Sequence, residues 1–200
     1  MMTEFIFDLD AIIARETILP YICTHQHMSQ DIDELSKQTL LGNIPFIESF
    51  IKRVHILGQC PINEISDLLS QMEVYPKIYQ FIQEHQENCV VVTENLKCWT
   101  DKLAQRLGCQ CFCSECECEN NHVKKLTKIL HKEDVVGIYR AQNKKVVFIG
   151  DEINAVEAMR LADISIATGL KYMPSNSVLS IADYLVINEE ALWRLLNQLL

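Results

Sequence analysis

The chain lacks any run of 18 or more apolar residues, so no membrane-spanning helix is expected. It is short of positive charge, with 18 Lys and Arg against 27 Asp and Glu and a net charge of -9. That balance excludes nucleic acid and anionic membrane as partners of the whole surface, though not a local anion site. There are no internal repeats, and the one compositionally biased segment is CQCFCSECECEN. The N-terminus, MMTEFIFDLDAII, has no basic start and carries Glu4, Asp8 and Asp10 within its apolar stretch, a poor secretory signal. Cysteine is plentiful, but its count of 9 is odd. The thiols are therefore expected to be reduced and the protein cytoplasmic.

What remains is an ordinary globular composition, 48% hydrophobic and 22% charged over 200 residues. That is room for one sizeable core, or for a core with a small insert. Residues 4–9 are a short apolar run ending in acids, which suits a buried strand opening onto polar chemistry. From Glu16 to about Met72 only helical patterns occur. Ser29 caps a segment with Ile32, Leu35 and Leu40. Pro45 opens another with Phe46, Phe50, Ile51 and Val54, and Pro61 a third with Ile65, Leu68 and Leu69. Beyond Tyr75 the patterns alternate. Strands are expected at 89–93, 109–113, 145–149, 164–167 and 184–187, and helices at 76–86, 96–107, 122–131, 153–162 and 189–199. Residues 132–143 read as a surface loop. The expected fold is α/β: a three-layer, Rossmann-like parallel sheet of residues 1–14 and 75–200, with a small helical cap at 15–74 inserted after the first strand.

Ligands of such sheets bind at the carboxyl ends of strands. Asp8 and Asp10 follow the first strand, Thr93 ends the second, and Gly150-Asp151-Glu152 ends a later one. Residues two apart in a strand point the same way, so Asp8 and Asp10 face one site if the chain stays extended. Adjacent acids repel unless a cation or a shared proton relieves them. A hard divalent cation held by oxygen, Mg²⁺ with phosphate oxygens above all, is the simplest resolution. Singly, each of these residues is as well explained as a helix cap or one more strand residue. Three polar strand ends in an otherwise apolar sheet favour a site.

DxD after the first strand, Thr after a later one, then Lys, then GD after another strand: this order resembles the haloacid dehalogenase superfamily. The helical insert directly after the first motif resembles the subgroup that includes phosphoserine phosphatase. The resemblance implies Asp8 as the nucleophile that becomes an aspartyl-phosphate and Asp10 as the general acid and base. It implies Thr93 on a phosphate oxygen and, from VKKLTKIL, Lys125 in preference to Lys124 as the neutralising cation. Asp8, the Asp10 carbonyl and Asp151 would hold Mg²⁺. DLDAIIARE is similar to the subgroup's first motif, with Arg15 and Glu16 as its Arg-Glu pair. GNIPFIESFIKR is similar to its cap segment, with Phe46 and Arg53 at the substrate. Together these imply a small, amino-acid-like phosphate ester as substrate. An equally good account makes Arg53 an exposed helix charge and Glu16 a first-turn acid.

The chain departs from the family pattern in places. Ala11 and Ile12 stand where a small residue and a hydroxyl are usual. Glu94 and Asn95 replace the subgroup's Gly-Gly, and a Glu there repels phosphate unless it points toward a cationic group of the substrate. GDEINAVEA keeps Asn154 but has Ala155 in place of an acid, which weakens Mg²⁺ binding. The expected activity is Mg²⁺-dependent hydrolysis of a phosphomonoester. The alternatives are a phosphotransferase on the same chemistry, or a binding or regulatory protein that has kept the fold and lost the rate.

Cys109, Cys111, Cys113, Cys116 and Cys118 form CxCxCxxCxC. Such density suits zinc, copper(I) or an iron–sulfur cluster. The first three alternate as on one strand face, too close for a cage. Only Cys113-x-x-Cys116 has zinc spacing, with His122 as an outside partner. Half-buried free thiols are the expected state. The amphipathic EEALWRLLNQLL is expected to pack on the sheet of its own chain, with a partner chain as the alternative, and the sequence leaves the oligomeric state open, a homodimer included.

Overall fold

The computed structural model describes residues 2–200, apart from the side chains of 29–31, 33 and 40. The Ser29 cap and the Leu40 position therefore lie outside the described residues. The chain begins with β1 (Thr3–Asp8), every residue of which is buried. Four helices follow: α1 (Ile18–His25), α2 (Ser29–Leu40), α3 (Phe46–Leu57) and α4 (Ile62–Ser70). Then come α5 (Pro76–Glu84), β2 (Cys89–Leu96), α6 (Lys97–Leu107), β3 (Gln110–Glu119), β4 (His122–Lys128) and α7 (Lys132–Ala141). The last elements are β5 (Lys145–Gly150), α8 (Val156–Leu161), β6 (Ile164–Thr168), α9 (Asn176–Leu179), β7 (Tyr184–Val186) and α10 (Glu189–Leu199).

The sheet runs β4-β3-β2-β1-β5-β6-β7. All pairings are parallel except β3 with β4 at one edge. The chain order reverses at β1, so the cleft at its carboxyl end is the expected ligand position. Two apolar clusters cover the two faces. One holds Phe5, Phe7 and Val91 with Phe81 and Trp99, and extends into α1, α3 and α4. The other holds Ile6, Val90 and Phe148 with Val135, Val136 and Met159. Strands buried on both faces explain the unbroken runs FIF, VVV and VVFI.

Two expectations fail next to each other. Residues 122–128 form a strand rather than a helix, and 132–141 form a helix rather than a loop. The strand escapes notice because it is bulged. Against β3, Lys125 pairs with Glu117 and Val123 with Cys118, leaving Lys124 extra; Leu126 pairs with Cys116 and Lys128 with Glu115, leaving Thr127 extra. Each extra residue shifts the pleat, so Val123 and Leu126 share a face at a helix-like spacing. The helix hides behind Gly137, which costs about 1 kcal/mol against Ala in a helix interior. Val135, Val136 and Tyr139 nevertheless keep a buried helical face.

α10 packs on its own chain. Leu192 and Leu196 are buried, and the Lys77 backbone N–H donates to Glu189 Oε1 at 2.5 Å. No helix among the described residues is long and apolar enough to cross a membrane.

Candidate active site

Asp8 ends β1 opposite Val92 of β2, at the sheet's carboxyl edge. Its Oδ1 accepts from the Leu9 N–H at 2.8 Å. The chain does not stay extended to Asp10. The N–H groups of Ile13 and Ala14 fold back on the Leu9 carbonyl at 3.2 and 3.0 Å, and Ala11 takes a left-handed φ of 57°. Asp10 is brought to the site by this turn rather than by strand alternation. Its Oδ1 accepts from the Ile18 N–H at 2.5 Å, the first residue of α1. Its Oδ2 accepts from Asn95 Nδ2 at 2.7 Å and from Thr93 Oγ1 at 3.4 Å. Asn95 in turn donates to Thr93 Oγ1 from its backbone at 3.1 Å and its side chain at 2.8 Å. Asn95, one of the two residues that replace Gly-Gly, thus joins Thr93 in a frame around Asp10.

Glu94 completes that replacement. It meets Lys132, whose Nζ lies 3.0 Å from Glu94 Oε2 and also pairs directly with Asp8 Oδ2. Lys132 is 1% exposed, Asp8 3% and Glu94 8%, so one buried ammonium bridges two buried acids. Burial alone would lower the lysine pKa, but Asp8 and then Glu94 outweigh it and hold the group above its usual range. Glu94 is pushed up to about 7, by burial first, against the pull of Lys132.

Sequence reasoning missed Lys132. The favoured Lys125 is exposed on the edge strand β4, paired across the ladder with Glu117. It is excluded from the place beside Asp8 because its segment is a strand. The period of Val135, Val136 and Tyr139, starting one turn after Lys132, was the signal available.

Asp151 follows β5 directly and is 7% exposed. Its Oδ1 is buried and has no hydrogen-bond partner. Its pKa rises to about 8, through burial first and the charge of Asp8 second. Asp10 rises to about 7 for the same two causes in the same order. Clustered acids with an unsatisfied buried oxygen are a site short of positive charge. The donors are all oxygens, which fits a hard divalent cation. Ala155 is fully buried, and a Cβ built on Gly150 would lie 2.8 Å from the Ala155 Cβ. The missing acid of the family pattern is thus replaced by packing against the strand end.

A cavity of about 400 Å³ lies beside this cluster, which it reaches through Glu94 and Lys132 but whose Asp8, Asp10 and Asp151 do not line it. Glu94, Lys132, Asn154 and Phe46 are among its walls. The Asn154 Oδ1 is buried without a partner. Arg53 is 8% exposed, with its guanidinium 5.8 Å from the Phe46 ring centroid. Burial lowers its pKa, while Glu152, Asp10 and Glu94 act in the opposite sense. Glu16 is not brought to the cavity; it pairs with Lys171 at the surface. Arg15 likewise points away, lying 5.2 Å over the Tyr75 ring.

A doubly wound sheet with a carboxylate cluster and a buried lysine at its carboxyl edge, beside a cavity under the helices that follow β1, is the arrangement of a candidate active site in an α/β enzyme. The model of the haloacid dehalogenase-like hydrolase family matches residues 5–163, and the chain belongs to that family. A phosphoserine phosphatase of Archaeoglobus fulgidus is 22% identical over 179 residues, which are 83% of this chain and 52% of that protein. The chain thus spans about half the length of this curated relative. A substrate-bound phosphoserine phosphatase structure superposes with a TM-score of 0.82 at 16% identity, covering 99% of this chain and 98% of the other. A hydrolase of this family from Salmonella enterica serovar Typhi gives 0.81 at 19% identity, covering 93% and 67%.

Proposed function

We propose that the chain is a Mg²⁺-dependent phosphatase that hydrolyses a small phosphomonoester through an aspartyl-phosphate on Asp8. The observation that carries this reading is the buried Lys132 bridge to Asp8, set beside an Asp10 carboxyl poised near 7. A carboxylate fixed by one N–H and one ammonium is oriented to attack phosphorus in line, and a nearby acid of intermediate pKa is suited to move the proton.

Asp8 Oδ forms the new bond to phosphorus while the bond to the ester oxygen breaks. Asp10, protonated, gives its proton to that leaving oxygen. The resulting carboxylate takes a proton from water, which attacks the phosphoryl group and returns Asp8. Thr93 Oγ1 and the Lys132 ammonium stabilise the phosphoryl oxygens. Asp8, Asp151 and the Asp10 carbonyl would hold the Mg²⁺, which supplies charge neutralisation at the phosphate. The helices at 15–74 act as a cap over the cavity, with closure excluding bulk water.

Phe46 and Arg53 support a substrate bearing a carboxylate. Glu94, engaged by Lys132, and Asn154 would contact its polar groups. A panel of phosphomonoesters with and without Mg²⁺ tests the reading. Mg²⁺-dependent phosphate release that is lost in Asp8→Asn is expected. Equal release with chelator present, or none from any ester, would overturn it and leave a binding role for the fold.

A further inference from the structure

Three thiols meet where the start of α6 lies against β3. Cys98 Sγ lies 3.4 Å from Cys116 Sγ, and Cys116 Sγ lies 3.6 Å from Cys118 Sγ. All three sulfurs fall within 4.8 Å of one another. The spacing rule for cysteines pointed to Cys113 and Cys116. The fold instead closes the group with Cys98, from a different element.

The geometry has a local cause. Cys98 is the second residue of α6, which starts immediately after β2. β3 lies beside β2, so the first turn of α6 rests near the β3 strand. Cys116 and Cys118 are two apart on β3 and share a face. The bulges opposite them, at Lys124 and Thr127, increase the local twist of this hairpin.

We propose that Cys98, Cys116 and Cys118 form a site for a thiophilic d¹⁰ cation such as zinc, with one coordination position left for water or an external ligand. A Zn–S bond of about 2.3 Å in a tetrahedron separates sulfurs by roughly 3.8 Å. Two of the sulfur separations, 3.4 and 3.6 Å, fall just short of that value and the third is no more than 4.8 Å, so loading needs only small shifts of the sulfurs. Cys98 and Cys116 are half-buried and Cys118 is exposed, so a cation reaches them from solvent. Burial as small hydrophobes does not account for an exposed member of the group. Burial first, and the neighbouring Cys116 and Cys118 thiols next, hold the Cys98 thiol above its usual range, and a bound cation would offset this by taking the thiolate as its ligand. Soft sulfur here and hard oxygen at Asp8 and Asp151 sort two kinds of cation on one chain.

A bound cation would tie α6 to the β3–β4 hairpin. That hairpin already holds the helical insert, through the Ile62 N–H to the Asn121 carbonyl at 2.7 Å and the Val123 N–H to the Gly58 carbonyl at 3.3 Å.

The test uses the full chain, reduced and chelator-stripped, in excess Mg²⁺. Cd²⁺ titration followed by thiolate-to-metal charge transfer reads the site, and Zn²⁺ competition gives the affinity. Expected are one Cd²⁺ per chain and a loss of affinity in Cys98→Ser and Cys116→Ser. That loss should be at least the roughly 10–100-fold that removing an outer-shell partner costs. Cys109→Ser should be unchanged. In the unmutated chain, Zn²⁺ should shield Cys98, Cys116 and Cys118 from alkylation and leave Cys109 open. The proposal is overturned by an absent charge-transfer band, by Cys109→Ser weakening binding as much as Cys98→Ser, or by a shielding pattern that omits Cys98.

Discussion

Replacing Lys132 by Met keeps the volume of the side chain and removes its charge. Lys132 is 1% exposed and is the cation between Asp8 and Glu94, which are 3% and 8% exposed. Removing it leaves two acids buried against each other, and breaking such a pair typically costs about 3–5 kcal/mol. For a chain of this size a loss of 1 kcal/mol lowers the melting temperature by about 2–4 °C, so a fall of about 6–20 °C is expected. The pH dependence has a definite sign. Glu94 already sits above its usual range with the ammonium in place, and losing Lys132 removes the group that pulls it down. Its protonated form is then favoured by folding, so that stability is fullest below the unfolded carboxylate pKa and is lost as pH rises through the folded pKa. The deficit of Lys132→Met against the unmutated chain should therefore shrink from pH 8 to pH 5. Glu94→Gln alone keeps the Asp8 pair and should cost little. The double variant should recover part of the loss. Thermal and urea denaturation of the four proteins at several pH values measures this. A Lys132→Met protein melting within about 2 °C of the parent would refute the buried bridge, as would a loss that does not change with pH or with Glu94→Gln.

Asp10→Asn should lower kcat by about 10²–10⁴-fold, the usual contribution of a general acid and base, with the fold retained. The metal-free protein should show two carboxyls titrating near 7, Asp10 and Glu94, of which this variant removes one and leaves the other; both infrared or NMR signals persisting in Asp10→Asn would contradict the assignment. Glu94→Gln frees Lys132 for phosphate and should lower KM at pH 8. Since Glu94 sits near 7, the advantage should fade towards pH 6, and a pH-independent KM ratio would count against it. Arg53→Ala should raise KM for carboxylate-bearing esters and leave neutral esters nearly unchanged; equal effects on both would exclude a substrate contact.

Much of the fold was legible because strand ends punctuate the sequence. FIFD, VVVT and VVFIGD each run apolar and then stop at a polar group, and the structure sets Asp8, Thr93 and Asp151 at the carboxyl ends of adjacent strands. The helical insert was legible because Pro45 and Pro61 open helices α3 and α4 at their N-caps. Lys132 was not legible. Bulges in β4 imitate a helical period, and Gly137 weakens the pattern of the helix that carries the lysine. The frame around Asp10 was hidden for another reason. Asn95 reaches Asp10 across two strands, and no local pattern records a contact at a separation of 85 residues. Glu94 read as repulsive to phosphate because its cation lies on an element the sequence did not reveal.

The most direct test of Asp8 as the nucleophile is to quench the enzyme in acid during turnover of a phosphorus-labelled ester with Mg²⁺ and to map the label. The label should sit on the peptide containing Asp8, be released by hydroxylamine as an acyl phosphate is, and vanish in Asp8→Asn. Label on a histidine or cysteine peptide, or continued turnover by Asp8→Asn, would contradict the proposed chemistry.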